Sequence, residues 1–206
     1  MASELELANQ ALANLGEPAL AAINATTPHG QHVVVLGPKV ARDLLVIHPW
    51  TWARTSAILT RSLAAEASGF LYSYALPNDL LLGPQRVYEP LNRNFDIEDW
   101  RRQGQTLLTD APDLAIHYTR TAFASPASWP EPEQALYVDA LTHALALPIT
   151  GSFETSQALY QRVYGNLQEQ PRGGMVGKAI SRDRQRDPYG RGVRFGVGYF
   201  VQARRG

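Results

Sequence analysis

Three groups of residues have types and spacings that chemistry uses. Asp96, Glu98 and Asp99 bring carboxylates together, and a glycosidase acid and base would need one of them buried with a raised pKa. Charges clustered in this way are solvated turns by default, which is the expectation here. His29 and His32 have the three-residue spacing of metal ligands on a helix. Pro28 and Gly30 place them in a loop, and no third ligand is near. Gly190-Arg191-Gly192 with Gly196 and Gly198 resembles a phosphate-cradling loop, but that fingerprint needs a strand before it and a helix after it. Only 8 residues follow Gly198. There is no G-x-S-x-G elbow and no Walker-type loop. The absence of cysteine removes disulfides, thiolate zinc sites and a Cys nucleophile. A cell-wall hydrolase would need a raised-pKa Glu in a cleft, and no residue is marked out for that. The sequence therefore reads as a protein without an active site, metal or cofactor.

One group survives, and its chemistry is binding. Residues 1–170 hold 10 Lys/Arg against 17 Asp/Glu, while residues 171–206 hold 9 against 2, so a body of −7 is joined to an end of +7. The basic end carries Lys178, Arg182, Arg184, Arg186, Arg191 and Arg194. Within it Val193, Phe195, Val197, Tyr199 and Val201 alternate with Arg194, Gly196, Gly198, Phe200 and Gln202, the period of an extended strand. Such a strand is unstable alone and is expected to add to an existing sheet edge or groove, its own or another subunit's. No run approaches a membrane span, and Met1 to Glu6 carries acids where a secretory signal carries basic residues. A soluble chain with no membrane partner is expected.

The elements that must position this end follow from periodicity. Ser3 and Glu6 have capping-box spacing, and Leu5, Ala8, Leu12 and Leu15 form one helical face, ended by Gly16 and Pro18. Val40, Leu44 and Ile47 predict a second helix, with Gly37-Pro38 breaking the segment so that the helix opens at Pro38. Strand-like runs follow at 52–60, 70–76, 85–89, 106–109 and 114–121. Ser128 and Glu131 suggest another capping box, Val138, Leu141 and Leu145 a buried stripe closed by Pro148 and Gly151, and Leu159, Val163 and Leu167 a last helix opening near Ser152. The predicted fold is mainly α: an antiparallel-type bundle of about four helices (1–50 and 124–170), interrupted by a small antiparallel β subdomain (51–123). An extended, basic, glycine-rich arm (171–206) completes it. Trp50 and Trp52 after His48-Pro49, and the pair Tyr160 and Tyr164, read either as bundle core or as subunit-interface anchors.

At these residues the chain resembles the bacteriophage head-to-tail adaptor family, of the tail tubular protein A type. The matching pieces are Leu7-Ala8-Asn9-Gln10-Ala11-Leu12 through Gly16-Glu17-Pro18, Ala41-Arg42-Asp43-Leu44-Leu45 leading to His48-Pro49-Trp50-Thr51-Trp52-Ala53, and Tyr74-Ala75-Leu76-Pro77-Asn78-Asp79. Leu108-Thr109-Asp110, Ile116-His117-Tyr118 and Leu147-Pro148-Ile149-Thr150-Gly151-Ser152 continue the order, so that residues 5–168 are covered. Lys178-Ala179-Ile180-Ser181-Arg182 and Pro188-Tyr189 are similar to the docking ends of some short-tailed phage adaptors. The resemblance implies a structural virion protein in the neck between capsid and tail, held in the host cytoplasm before assembly. It implies a homo-oligomeric ring, typically twelvefold, bound beneath the portal protein and meeting tail proteins (terminator, stopper or nozzle). DNA would pass through the ring without specific binding, past an acidic lining. The C-terminal segment, including Tyr189, would grip the portal. The alternative is a nucleic-acid-binding module whose basic arm contacts phosphates.

Overall fold

The Ser3 capping box forms as its spacing requires: the Ser3 amide donates to Glu6 Oε2 at 2.6 Å and the Glu6 amide to Ser3 Oγ at 3.2 Å, opening helix α1 (Glu4–Asn14). The computed structural model describes residues 2–64, 68–91, 96–166 and 173–186. Helix α2 spans Pro28–Ile47, with Thr27 as its cap and Pro28 in its first turn. His29 and Gly30 thus lie on a helix, not in the loop expected. Pro38 does not restart it. The stripe Val33, Gly37, Val40, Ala41, Leu44 and Leu45 is buried as one face, and exposed Pro38 forfeits only one backbone bond on the solvent side. Gly37 is where α2 crosses the later helix α3 (Glu131–Thr150): a Cβ there would lie 3.1 Å from the Tyr137 hydroxyl. The Gly-Pro pair that reads locally as a breaker is a close helix–helix contact.

After a short 3-10 turn at Thr51–Ala53, seven strands follow among the described residues. They are β1 (Arg54–Ile58), β2 (Arg61–Leu63), β3 (Tyr72–Ala75), β4 (Leu80–Tyr88), β5 (Trp100–Gln103), β6 (Thr106–Thr109) and β7 (Ala115–Arg120). They form two antiparallel sheets, of order β1-β7-β4 and β2-β3-β6-β5. The Leu114, Ile116 and Tyr118 side of β7 packs with Leu59, Tyr74, Leu76, Val87 and Leu107 in a core of its own. Ala115 and Thr119 on the opposite side are buried as well, because β7 is the central strand. β4 extends well before Gln85, since Gly83 and Pro84 lie at register irregularities on a sheet edge, where a missing N–H is tolerated.

Helix α3 carries a 3-10 turn (Pro126–Ser128) before it and starts on Pro130 without a side-chain cap; the Ser128 hydroxyl donates to the Ser125 carbonyl, so the second capping box is not made. Pro148 lies inside α3, and Gly151 in the left-handed conformation (φ 66) ends it. Its buried surface includes Leu136, Tyr137 and Ala140 besides the expected Val138, Leu141 and Leu145, because α1, α2 and two further helices surround it. Those two are α4 (Phe153–Tyr164), capped by Ser152, and α5 (Gly174–Arg186).

The expected fold class is therefore corrected in two respects. Among the described residues, five α-helices and seven strands in two antiparallel sheets make this a mixed α and β fold, not a mainly-α bundle with a small β subdomain. β2 (Arg-Ser-Leu, all exposed) and β5 (Trp-Arg-Arg-Gln) have no apolar alternation, so periodicity passes over them. The end is also not an extended arm from residue 171: residues 174–186 are helical. Val176, Gly177, Ala179, Ile180 and Asp183 turn to one side and are buried there. A glycine, an alanine and an aspartate in that stripe conceal it from a hydrophobicity count.

Candidate subunit-docking site

The basic end is rooted in the body by a buried polar clamp. Asp183 on α5 is fully buried, and three donors converge on its carboxylate: His48 Nε2 at 3.0 Å, the Thr51 hydroxyl at 2.6 Å, and the Thr51 amide at 3.0 and 3.2 Å from the two oxygens. Burial pushes the Asp183 carboxyl up, but the hydrogen bonds from His48 and Thr51 outweigh it and hold it below the usual carboxylate value. His48 and Thr51 lie in the His48–Trp52 segment that follows α2, so the clamp joins α5 to the most recognisable motif of the sequence. At the end of α5, Arg186 Nη1 donates to Glu133 Oε1 at 3.2 Å, and Glu133 is itself 1% exposed. Arg186 is thus engaged within the chain, whereas Lys178, Arg182 and Arg184 are exposed and make no ion pair among the described residues. Lys178 and Arg182 stand four apart on the outward stripe of α5, opposite its buried face.

Trp50 is 2% exposed, and its indole N–H donates to the Leu44 carbonyl at 2.8 Å near the end of α2, where the last carbonyls lack helical partners. Its ring stands edge-on to His48 at 5.0 Å and lies 6.1 Å from Trp52, which in turn packs on Trp129 (5.3 Å) and Phe123 (5.9 Å). Trp129 donates to the Phe123 carbonyl and meets Tyr137. This aromatic spine sits beneath the Asp183 clamp at the junction of the helical core and the first strand. Sequence reasoning included Trp50 and Trp52 but did not see Trp129 and Phe123, whose distance along the chain leaves no local signal.

Tyr160 and Tyr164 on α4 lie 5.1 Å apart and both face His143 of α3, at 5.4 and 5.9 Å. Burial raises the Tyr164 pKa, with Asp43 and Tyr160 adding to it. Burial lowers the His143 pKa from its ordinary 6.5. A histidine that folds with a depressed pKa contributes stability that is present above about 6.5 and is lost as pH falls through the folded value. Urea midpoints are therefore expected to decline between pH 7 and 5, and a His143→Phe chain should lack that part of the slope. An unchanged slope would remove His143 as its source.

The remaining candidates fall elsewhere. Asp96 pairs with Arg86 at 2.6 Å, and Glu98 and Asp99 are exposed. His29 Nε2 lies 3.3 Å from Glu17. Sequence reasoning missed one hydroxyl–imidazole contact, Ser56 Oγ to His117 Nδ1 at 2.8 Å, a cross-strand pair of β1 and β7. It lines neither of two open clefts, one of about 620 Å³ along Leu15, Thr150, Leu159 and Arg162, the other of about 720 Å³ along Leu7, Gln10, Trp129 and Gln134. Among the described residues no helix is long and apolar enough to cross a membrane. Tyr189, Arg191, Arg194, Phe195, Val197, Tyr199 and Val201 lie outside the described residues, as do the glycine cluster and Leu167. No protein-family model matches the chain, and no characterised protein matches it in sequence.

Proposed function

We propose that the chain is a structural subunit of a phage neck, a head-to-tail adaptor that forms a ring between portal and tail and contributes to the DNA channel. The observation that carries this reading is the division of charge, −7 over residues 1–170 and +7 over 171–206, with the basic end anchored by Asp183 to the His48–Trp52 motif. The acidic body lines a conduit to which DNA does not adhere. The end beyond Arg186 docks on the portal by strand addition and arginine–carboxylate pairing. The other face of the ring receives the tail proteins, and its place is the neck of the virion.

Because α5 buries Val176, Ala179 and Ile180 in the helical core, a truncation that tests docking must end after Arg186, not before Gly174. Size-exclusion chromatography with light scattering is the measurement. The full chain is expected to join portal rings in a stoichiometric complex, and the chain truncated after Arg186 to remain folded and lose that complex. Equal portal affinity for both chains would sink the docking role.

A second reading has one observation in its favour, the exposed cations Lys178, Arg182 and Arg184 on α5, which make no ion pair among the described residues. A nucleic-acid-binding module would use them on phosphates, and its DNA affinity would fall steeply with salt. Absence of binding at low salt removes it.

A further inference from the structure

We infer that the outward face of α5 is a contact for a second copy of this chain, binding the acidic body of its neighbour in a head-to-tail arrangement. The inference rests on the ring of the reading above, but not on the portal. Lys178 and Arg182 project from a helix whose opposite side is locked by Asp183 and the Glu133–Arg186 pair, so the backbone that carries the two cations is fixed before any partner arrives. This preorganisation distinguishes them from cations on a free tail, which pay for ordering when they bind.

Complementary charge is present on the same chain. Three body cations are spent on internal pairs: Arg86 on Asp96, Arg120 on Asp79 and Arg162 on Asp139. Asp43, Glu89, Glu131 and Glu154 are exposed and make no ion pair among the described residues. The exposed Lys178, Arg182 and Arg184 of α5 are thus matched in sign by a body that carries −7 over residues 1–170 on every copy of the chain. Because the two surfaces are different parts of the molecule, the contact is heterologous: each copy donates α5 to one neighbour and receives α5 from the other. That interface type closes into a ring when its rotation permits.

The test is sedimentation velocity on the full chain at 50 and 500 mM salt, with a Lys178→Glu/Arg182→Glu variant and the milder Lys178→Gln/Arg182→Gln variant. Wild type should self-associate at low salt and dissociate at high salt, as exposed charges are screened beyond about 10 Å at 0.1 M. The charge-reversed variant should associate on the order of tenfold or more weakly, and the neutral variant should fall between. Both should keep the wild-type circular dichroism, since the substituted side chains are exposed. The decisive arm is mixing: labelled reversed variant should bind wild type as an acceptor with near wild-type affinity while failing to bind itself. Wild type that is monomeric at 50 mM salt, or a reversed variant that associates like wild type, overturns the inference. Variants that lose duplex-DNA binding while keeping self-association overturn it in favour of a nucleic-acid face. Portal binding measured in parallel separates the two claims: wild type that joins portal rings but is monomeric at 50 mM salt overturns the α5 contact alone, and wild type that self-associates through α5 but ignores the portal overturns the docking role alone.

Discussion

Asp183→Ala is expected to cost about 3 kcal/mol of unfolding free energy at pH 7, the scale for breaking a buried, hydrogen-bonded charge arrangement. The substitution removes the one acceptor shared by the Thr51 amide, the Thr51 hydroxyl and His48, and leaves those donors in a site where Asp183 itself is inaccessible to water. A domain stable by about 5–15 kcal/mol stays folded, but α5 loses its attachment to the His48–Trp52 segment. Hydrogen exchange over residues 174–186 should therefore accelerate more than exchange in the centre of α3. Asp183→Asn is a sharper probe of the same geometry. It keeps the shape but offers only one acceptor oxygen to three donors, turning an N–H toward one of them, so most of the loss is expected to remain. The carboxyl folds with a lowered pKa, so its contribution is present above the unfolded value of about 3.9 and is lost as pH falls through the folded value. Wild type and Asp183→Asn should accordingly converge in stability in acid. A cost below about 1 kcal/mol for Asp183→Ala would show that α5 is held by its apolar face alone.

Trp50→Ala is the second large effect, about 3–5 kcal/mol in urea denaturation, as for other buried aromatic truncations. The indole fills the space between His48 and Trp52 and covers the end of α2, and its N–H satisfies the Leu44 carbonyl. Trp50→Phe separates the two roles: much of the packing survives while the carbonyl loses its donor, so a loss of about 1–2 kcal/mol is expected. If the two substitutions cost the same, the hydrogen bond and not the packing dominates. The position matters beyond stability, since Trp50 lies between the two clamp residues His48 and Thr51. A loosened indole should also raise exchange in α5, and this links the aromatic spine to the orientation of the basic helix.

Much of the fold was legible in local pattern. The Ser3–Glu6 box, the stripe Val40, Leu44 and Ile47, the Val138–Leu145 stripe, and the runs that became β3, β6 and β7 all lie where periodicity places them, because each follows from side chains a few residues apart sharing one face. Where local signals conflicted with packing, packing prevailed. Pro38 sits inside α2, since the stripe on either side of it is buried against neighbours and outweighs one missing backbone bond, and Pro148 is tolerated as an exposed residue in the last turn of α3.

The sequence by itself determined the helical faces, the strand-rich middle and the charge asymmetry, all of which are properties of composition and short-range order. Only the tertiary structure decided that β2 and β5 complete a second sheet, because a short edge strand without apolar alternation takes its conformation from the strand it pairs with. Only the tertiary structure made 174–186 a helix with a buried side. Its one buried charge, Asp183, is tolerable solely because His48 and Thr51, more than 130 positions earlier in the chain, supply the donors that replace water.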